Sequence, residues 1–105
     1  MTWPLMKYAR VNNISKEMSR VVMGSMAFQD AAMADPVYDK FLELGGNCFD
    51  TARIYGAAEE VLGRWVQRRG VREEIVFITK GAHTPSCYPK TITTELVESL
   101  DRLQT

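Results

Sequence analysis

The chain has 105 residues, 46% of them hydrophobic and 25% charged, with 13 basic side chains balancing 13 acidic ones. This length supports one small domain or a portion of a larger one, and the composition excludes wholesale disorder and collagen-like or mucin-like chains. Zero net charge without a basic run gives no electrostatic footprint for nucleic acid, so none is expected as a partner.

The first residues, with Trp3, Pro4 and Lys7 and no apolar run before a cleavage site, do not resemble a secretory signal. A cytoplasmic location is the expectation, and Cys48 and Cys87 are then expected as thiols. Met6 to Met18 carries Asn12-Asn13, a pair suited to turning a small hairpin. Val21, Val22 and Met23 form the first apolar run, closed by Gly24. The longest nearly uncharged stretch, Val21 to Gln29, is well short of the roughly 18–20 residues that cross a membrane, so no membrane segment is expected. Asp35 reads as an N-cap and Pro36 as a first helical residue, with Val37, Phe41 and Leu44 at i, i+4, i+7 and Gly45 closing the helix. Asn47 to Asp50 reads as a short strand. Val61, Leu62, Trp65 and Val66 mark one face of a second helix ended by Gly70, with Glu60, Arg64 and Arg68 on its solvated side. Ile75 to Ile78 are consecutive and β-branched or aromatic, as in a parallel strand covered on both faces. Thr93 reads as the cap of a third helix, with Glu95 in its first turn and Leu96, Val97, Leu100 and Leu103 on one side.

Behind the hairpin the pattern is β-α-β-α-β-α. Strand starts near Val21, Cys48 and Ile75 recur about every 27 residues, near the roughly 31 residues per unit of an eight-unit barrel. The expected fold is therefore α/β: the first three β/α units of a (β/α)8 TIM barrel with an N-terminal hairpin, a truncated barrel in which residues 1–105 are the N-terminal portion of one domain. Right-handed crossovers between sequentially ordered strands put all helices on one side, leaving two strand edges and one sheet face open. Packing against another copy of the chain or against the remainder of the barrel is expected to cover them, with self-association expected of the chain by itself. A Rossmann or flavodoxin-like domain fits less well, because Gly24-Ser25-Met26 is not a G-x-G-x-x-G turn.

In β/α architectures chemistry gathers at the C-terminal ends of strands. Asp50 ends the second strand, Tyr55 lies in the loop after it, and Lys80 ends the third. Neighbouring strands about 4.8 Å apart bring Asp50 and Lys80 within ion-pair range. Such a pair alone is more often structural. A tyrosine beside it changes the chemistry, because a phenol with a pKa of about 10 donates a proton near neutrality only if something stabilises its anion, and a lysine ammonium does so. The competing reading of Tyr55 is an aromatic ring packed across the barrel mouth. No His or Cys lies at metal-ligand spacing around Cys48, and no metal site is expected.

The segment GGNCFDTARIYGAAEEVLG from Gly45 to Gly63, followed by VFITKG from Val76 to Gly81, closely resembles the aldo-keto reductases. A Gly-x-Asn-x-Phe-Asp-Thr-Ala run, a Tyr-Gly pair, a Glu three residues after that Gly and a strand ending Thr-Lys occur in the family's order and spacing. The resemblance extends from about Met6 through Ser99 to Leu103 and covers about a third of a family member. It implies an NADP(H)-dependent oxidoreductase acting on a small-molecule aldehyde or ketone, with Tyr55 as general acid, Lys80 lowering its pKa, and Asp50 paired with Lys80 beside the nicotinamide ribose. It also implies that Gly24, Ser25 and Met26 lie near the nicotinamide, with Met26 standing where the family has an aromatic residue, and that Ile54 lines the substrate pocket beside Tyr55. The family's fourth catalytic residue is a His at the end of the next strand, which this sequence does not include. His83, three residues after Lys80, reads as a loop or pocket-rim histidine. Without that His and most of the dinucleotide site, the 105-residue chain alone is expected to be inactive. The alternative is a non-catalytic regulatory or oligomeric binding module of the same fold.

Overall fold

A computed structural model of the chain describes residues 5–105. Trp3 and Pro4, on which the reading of the first residues rests, lie outside the described residues. Strands β1 (Tyr8–Ala9) and β2 (Met18–Ser19) pair antiparallel with Tyr8 opposite Ser19. Asn13 takes φ 68° in the turn between them, a left-handed conformation that asparagine tolerates better than most residues. The hairpin is pinned to the rest of the chain by Asn47. Its Oδ1 accepts from the Ser19 N–H at 2.8 Å and its Nδ2 donates to the Glu17 carbonyl at 2.7 Å.

Three parallel strands, β3 (Met23–Gly24), β4 (Cys48–Asp50) and β5 (Val76–Ile78), lie side by side in sequence order. Helices α1 (Ala31–Glu43), α2 (Ala58–Arg69) and α3 (Pro89–Leu103) alternate with them, so the observed class is α/β. Met23, Phe49 and Phe77 share one rung of the sheet. Phe49 stands at the middle of the core, with the rings of Tyr38, Phe41 and Trp65 around it at 5.2, 5.3 and 5.4 Å between centroids. The Tyr38 and Phe41 contacts are edge-on, a geometry worth about 0.5–1.5 kcal/mol per pair beyond area burial. Burial without a partner for its hydroxyl pushes the Tyr38 phenol well above its ordinary value. Cys48 and Cys87 are both free, the first buried and the second exposed; burial, helped by the nearby Asp50 charge, raises the Cys48 thiol.

Several elements begin or turn differently from the sequence expectation. Asp30, not Asp35, is the cap of α1: its side chain accepts from the Met33 N–H at 2.9 Å, and Pro36 sits inside the helix on its exposed side. Asp35 instead binds Arg68 at 2.7 Å. The buried stripe of α1 is Ala34, Tyr38 and Phe41, whereas Val37 and Leu44 are exposed. Helix α3 starts at Pro89 rather than after Thr93, because proline's fixed φ suits the first helical position and its missing N–H is no loss there. Its buried side chains are Ser99 and Leu103, while Leu96, Val97 and Leu100 are exposed. The first strand is shorter than its apolar run, leaving Val21 and Val22 exposed; Ile75, just before β5, and Val76 are buried, but Ile78 at the end of β5 is open. The end of α2 at Gly70 matches the expectation.

Helices α2 and α3 touch at Gly63, where a Cβ would meet the Arg102 carbonyl oxygen at 2.7 Å and the Leu103 backbone at 2.8 Å. Backbone cannot yield as a side-chain tip does. Gly63→Ala should therefore cost about 1–3 kcal/mol and lower Tm by several degrees, measured by thermal melts against wild type.

Asp39 of α1 links that helix to α2. Its Oδ1 accepts from Arg69 Nε at 2.7 Å and from Trp65 Nε1 at 2.8 Å, and these bonds hold the carboxyl at about 2, against an ordinary 3.8. A carboxyl with a lowered folded-state pKa stabilises above the ordinary value and loses that contribution as pH falls through the folded one. Asp39→Asn should flatten the fall of stability between about pH 4 and pH 2, measured by denaturant unfolding across pH.

Candidate active site

The register of β4 and β5 continues beyond the strands. Thr51 N–H donates to the Ile78 carbonyl at 2.8 Å and Arg53 N–H to the Lys80 carbonyl at 2.9 Å. Side chains alternate along extended backbone, so Asp50 and Lys80 emerge on the sheet face opposite Phe49, at one rim. Lys80 Nζ donates to Asp50 Oδ1 and, at 2.8 Å, to the Thr51 carbonyl. The same ammonium lies 5.2 Å from the centre of the Tyr55 ring. Burial opposes the charge on Lys80, but the hydrogen bond and charge of Asp50, joined by the Tyr55 hydroxyl, outweigh it and hold the lysine above its ordinary value of 10.5. A raised lysine stabilises the fold below its ordinary value and loses that contribution as pH climbs through the folded-state value. Both Lys80 and Asp50 are about half exposed, so solvent screens the pair and its contribution is small.

A cavity of about 340 Å³ opens at this rim, lined by Ile54, Tyr55, Lys80, His83 and Glu95 among others. The structure thus brings Asp50, Tyr55 and Lys80 together, with exposed Ile54 beside them. His83 sits at the cavity with Nδ1 2.9 Å from the Thr84 carbonyl oxygen. Gly24 is opposite Asp50 in register, and the space where its Cβ would project is open. Met26 is exposed. Ser25 is fully buried, its hydroxyl donating to the Asp50 carbonyl at 2.8 Å. A cavity of about 400 Å³ lies elsewhere, between the starts of α1 and α2; its Arg64 and Arg68 are paired with Glu60 and Asp35. Among the described residues no cluster of three or more His, Cys, Asp and Glu could hold a metal ion, and no helix is long and apolar enough to cross a membrane.

Sequence reasoning missed Gln29. Its Nε2 donates at 2.8 Å to the carbonyls of both Met26 and Tyr55, and its Oε1 accepts from the Ala57 N–H at 2.9 Å. One amide side chain thereby ties the turn carrying Tyr55 to the loop after β3. A glutamine just before a capping aspartate gives no periodic or motif signal that could have singled it out.

The chain matches the model of the aldo/keto reductase family over residues 20–105. It is 30% identical over 93 residues to an uncharacterized oxidoreductase of Bacillus subtilis, YrpG, covering 80% of this chain and 28% of that protein. It is 38% identical over 60 residues to an aryl-alcohol dehydrogenase [NADP(+)] of Phanerodontia chrysosporium, covering 55% of this chain and 15% of that one. The holo form of an aldo-keto reductase from Bacillus halodurans superposes with a TM-score of 0.78 at 28% identity, covering 95% of this chain and 37% of that one. The chain belongs to the aldo/keto reductase family, a family of oxidoreductases. It spans between 11% and 28% of the length of the first curated relatives it matches.

Two measurements check this geometry. Asp50→Asn should lower the titration midpoint of Lys80, followed by carbon-13 NMR at its ε carbon, since burial is then opposed by the Tyr55 hydroxyl alone. Gln29→Ala should speed hydrogen exchange at the Ala57 amide at least about tenfold by removing its acceptor, with little change at the α2 centre.

Proposed function

We propose that Asp50, Tyr55 and Lys80 are the Asp-Tyr-Lys part of the catalytic site of an NADP(H)-dependent reductase for aryl aldehydes or ketones. On this reading residues 1–105 are the N-terminal portion of a single (β/α)8 barrel domain, contributing its first three β/α units and the hairpin. The observation that carries the proposal is the Lys80 ammonium, bonded to Asp50 and set against the Tyr55 ring at the mouth of a cavity. Family membership and the NADP(+)-dependent aryl-alcohol dehydrogenase relative support it.

Tyr55 donates its phenolic proton to the carbonyl oxygen of the substrate as that oxygen gains negative charge. Lys80 stabilises the phenolate left behind, and Asp50 keeps Lys80 charged and aimed at the ring. The reduced nicotinamide, when bound, supplies the hydride. Its ribose end fits the residues present: the Asp50 carboxylate offers acceptors, open space adjoins Gly24, and Met26 is an exposed apolar neighbour. Ser25 supports this edge from beneath and offers the cofactor no free group: it is fully buried, its hydroxyl and N–H both donate to the Asp50 carbonyl, and its own carbonyl accepts from the Phe28 N–H. Ile54, exposed beside Tyr55, supplies an apolar wall for an aromatic substrate. The partners on this reading are the cofactor and a small carbonyl compound, without nucleic acid or membrane, in the cytoplasm.

A specific observation favours association as a second role. Ile92, Leu96, Val97 and Leu100 of α3 are all exposed, and among the described residues β3 and β5 each pair on one side only. We propose that these surfaces are covered by a further copy of the chain or by further β/α units, which leaves the non-catalytic binding module open as the competing role. Sedimentation across a concentration series separates the cases: a strictly monomeric, sharply melting species contradicts association.

The catalytic proposal is tested by grafting residues 20–105 in place of the matching segment of an active aldo-keto reductase. The graft should consume NADPH with aryl aldehydes, and Tyr55→Phe should lower kcat by about 10²–10⁴. The 105-residue chain alone should show no turnover. A graft whose rate is unchanged by Tyr55→Phe contradicts the assignment.

A further inference from the structure

Beneath the rim lies a second layer of polar groups that the proposed chemistry does not use. Ser25, Thr51 and Thr79 follow Met23, Phe49 and Phe77 by two residues on three strands held in register, so their hydroxyls form a rung on the helix-facing side of the sheet. Asp50 and Lys80 project from the other side. Glu59, the second residue of α2, reaches into this layer and is fully buried. Its Oε2 accepts from the Thr79 hydroxyl at 2.7 Å, while its Oε1 and the Thr51 Oγ1 are buried without a hydrogen-bond partner.

A buried carboxyl oxygen left without a partner costs at least about 1–3 kcal/mol, and an apolar side chain of the same length would avoid that cost. Its connectivity gives the carboxyl a use. The turn that carries Tyr55 runs directly into α2, with the Ala58 N–H donating to the Tyr55 carbonyl at 3.1 Å. Thr79 immediately precedes Lys80. The Glu59–Thr79 bond therefore joins the element that places the phenol to the strand that places the ammonium. Gln29 ties the Tyr55 turn to the β3 side and Arg102 donates to the Gly56 carbonyl from α3 at 3.3 Å; Glu59 ties α2 to β5. The positive end of α2 favours a carboxylate at this second helical position.

We propose that Glu59 is a positioning residue for the Tyr55–Lys80 pair, acting through the Thr79 hydroxyl. This rests on the reading of Asp50, Tyr55 and Lys80 as the catalytic groups. Glu59 touches no reacting atom; it fixes the distance between the turn that carries Tyr55 and the strand that carries Lys80.

The test follows the Lys80 titration in the chain as it stands, by carbon-13 NMR at the ε carbon, together with thermal melts. Thr79→Val, which removes the hydroxyl at nearly constant volume, and Glu59→Met, which removes the acceptor, should each lower the Lys80 midpoint by roughly half a pH unit or more while the chain stays folded. Thr79→Ser, which keeps the hydroxyl, should hold the wild-type midpoint. If Glu59→Met does not fold, the Thr79 pair decides alone. Melts that move while the Lys80 midpoint stays at its wild-type value in Thr79→Val overturn the proposal and leave Glu59 a packing group. Asp50→Asn separates the two levels: if it too leaves the Lys80 midpoint unmoved, the Asp50–Lys80 reading itself has failed, and if it alone moves the midpoint, only the role of Glu59 has.

Discussion

The parallel register between β4 and β5 is the constraint on which everything at the rim depends. Cys48 faces Val76, Phe49 faces Phe77 and Asp50 faces Ile78, and backbone bonds from Thr51 and Arg53 carry the pairing on to Lys80. Side chains along a strand alternate between faces, so a slip of one residue would turn Phe49 out of the aromatic core and bury Asp50 in its place. The energetic penalty of that exchange secures the register. The register in turn sets the ion pair, and the ion pair holds the ammonium beside the Tyr55 ring.

The molecule is thus divided by its sheet. One face carries Phe49, the aromatic cluster of Tyr38, Phe41 and Trp65, and the outer charged network in which Asp39 binds both Trp65 and Arg69. The other face carries Asp50, Lys80 and the cavity. The half-exposed polar groups and the rigid aromatic base lie back to back on the same three strands. Gln29 and Glu59 connect them, one through backbone groups on the β3 side and the other through a buried hydroxyl on the β5 side. Both are polar residues whose position is explained better by what they hold than by what they stabilise.

Much of this was legible in the residues. Apolar runs ended by Gly24, Asp50 and Lys80 marked the strand ends, and the spacing of Asp50, Tyr55 and Lys80 in a recognisable motif predicted their meeting. Helix starts were less legible, because Asp35-Pro36 imitates a cap and first turn more closely than Asp30-Ala31 does, while the alanines that begin α1 carry propensity without a pattern. Periodicity marks the apolar side of α3 without saying whether anything covers it. Leu96, Val97 and Leu100 obey the helical period and stay exposed, while Ser99 is buried and the backbone of Arg102 and Leu103 meets α2 at Gly63. Asn47 appeared in the sequence only as part of a motif, and its physical role, holding the hairpin to β4, needed the fold to become visible.

The central claim is that one strand-end rim gathers Asp50, Tyr55 and Lys80 into a coupled group. Nuclear Overhauser contacts from the Lys80 ε protons test it most directly. The account predicts contacts to the Tyr55 ring protons, in keeping with the 5.2 Å separation of ammonium and ring centre, and to the Asp50 β protons. Lys80 ε protons that contact neither residue, with the Tyr55 ring instead meeting residues at the opposite strand ends such as Val71 or Arg72, would contradict it.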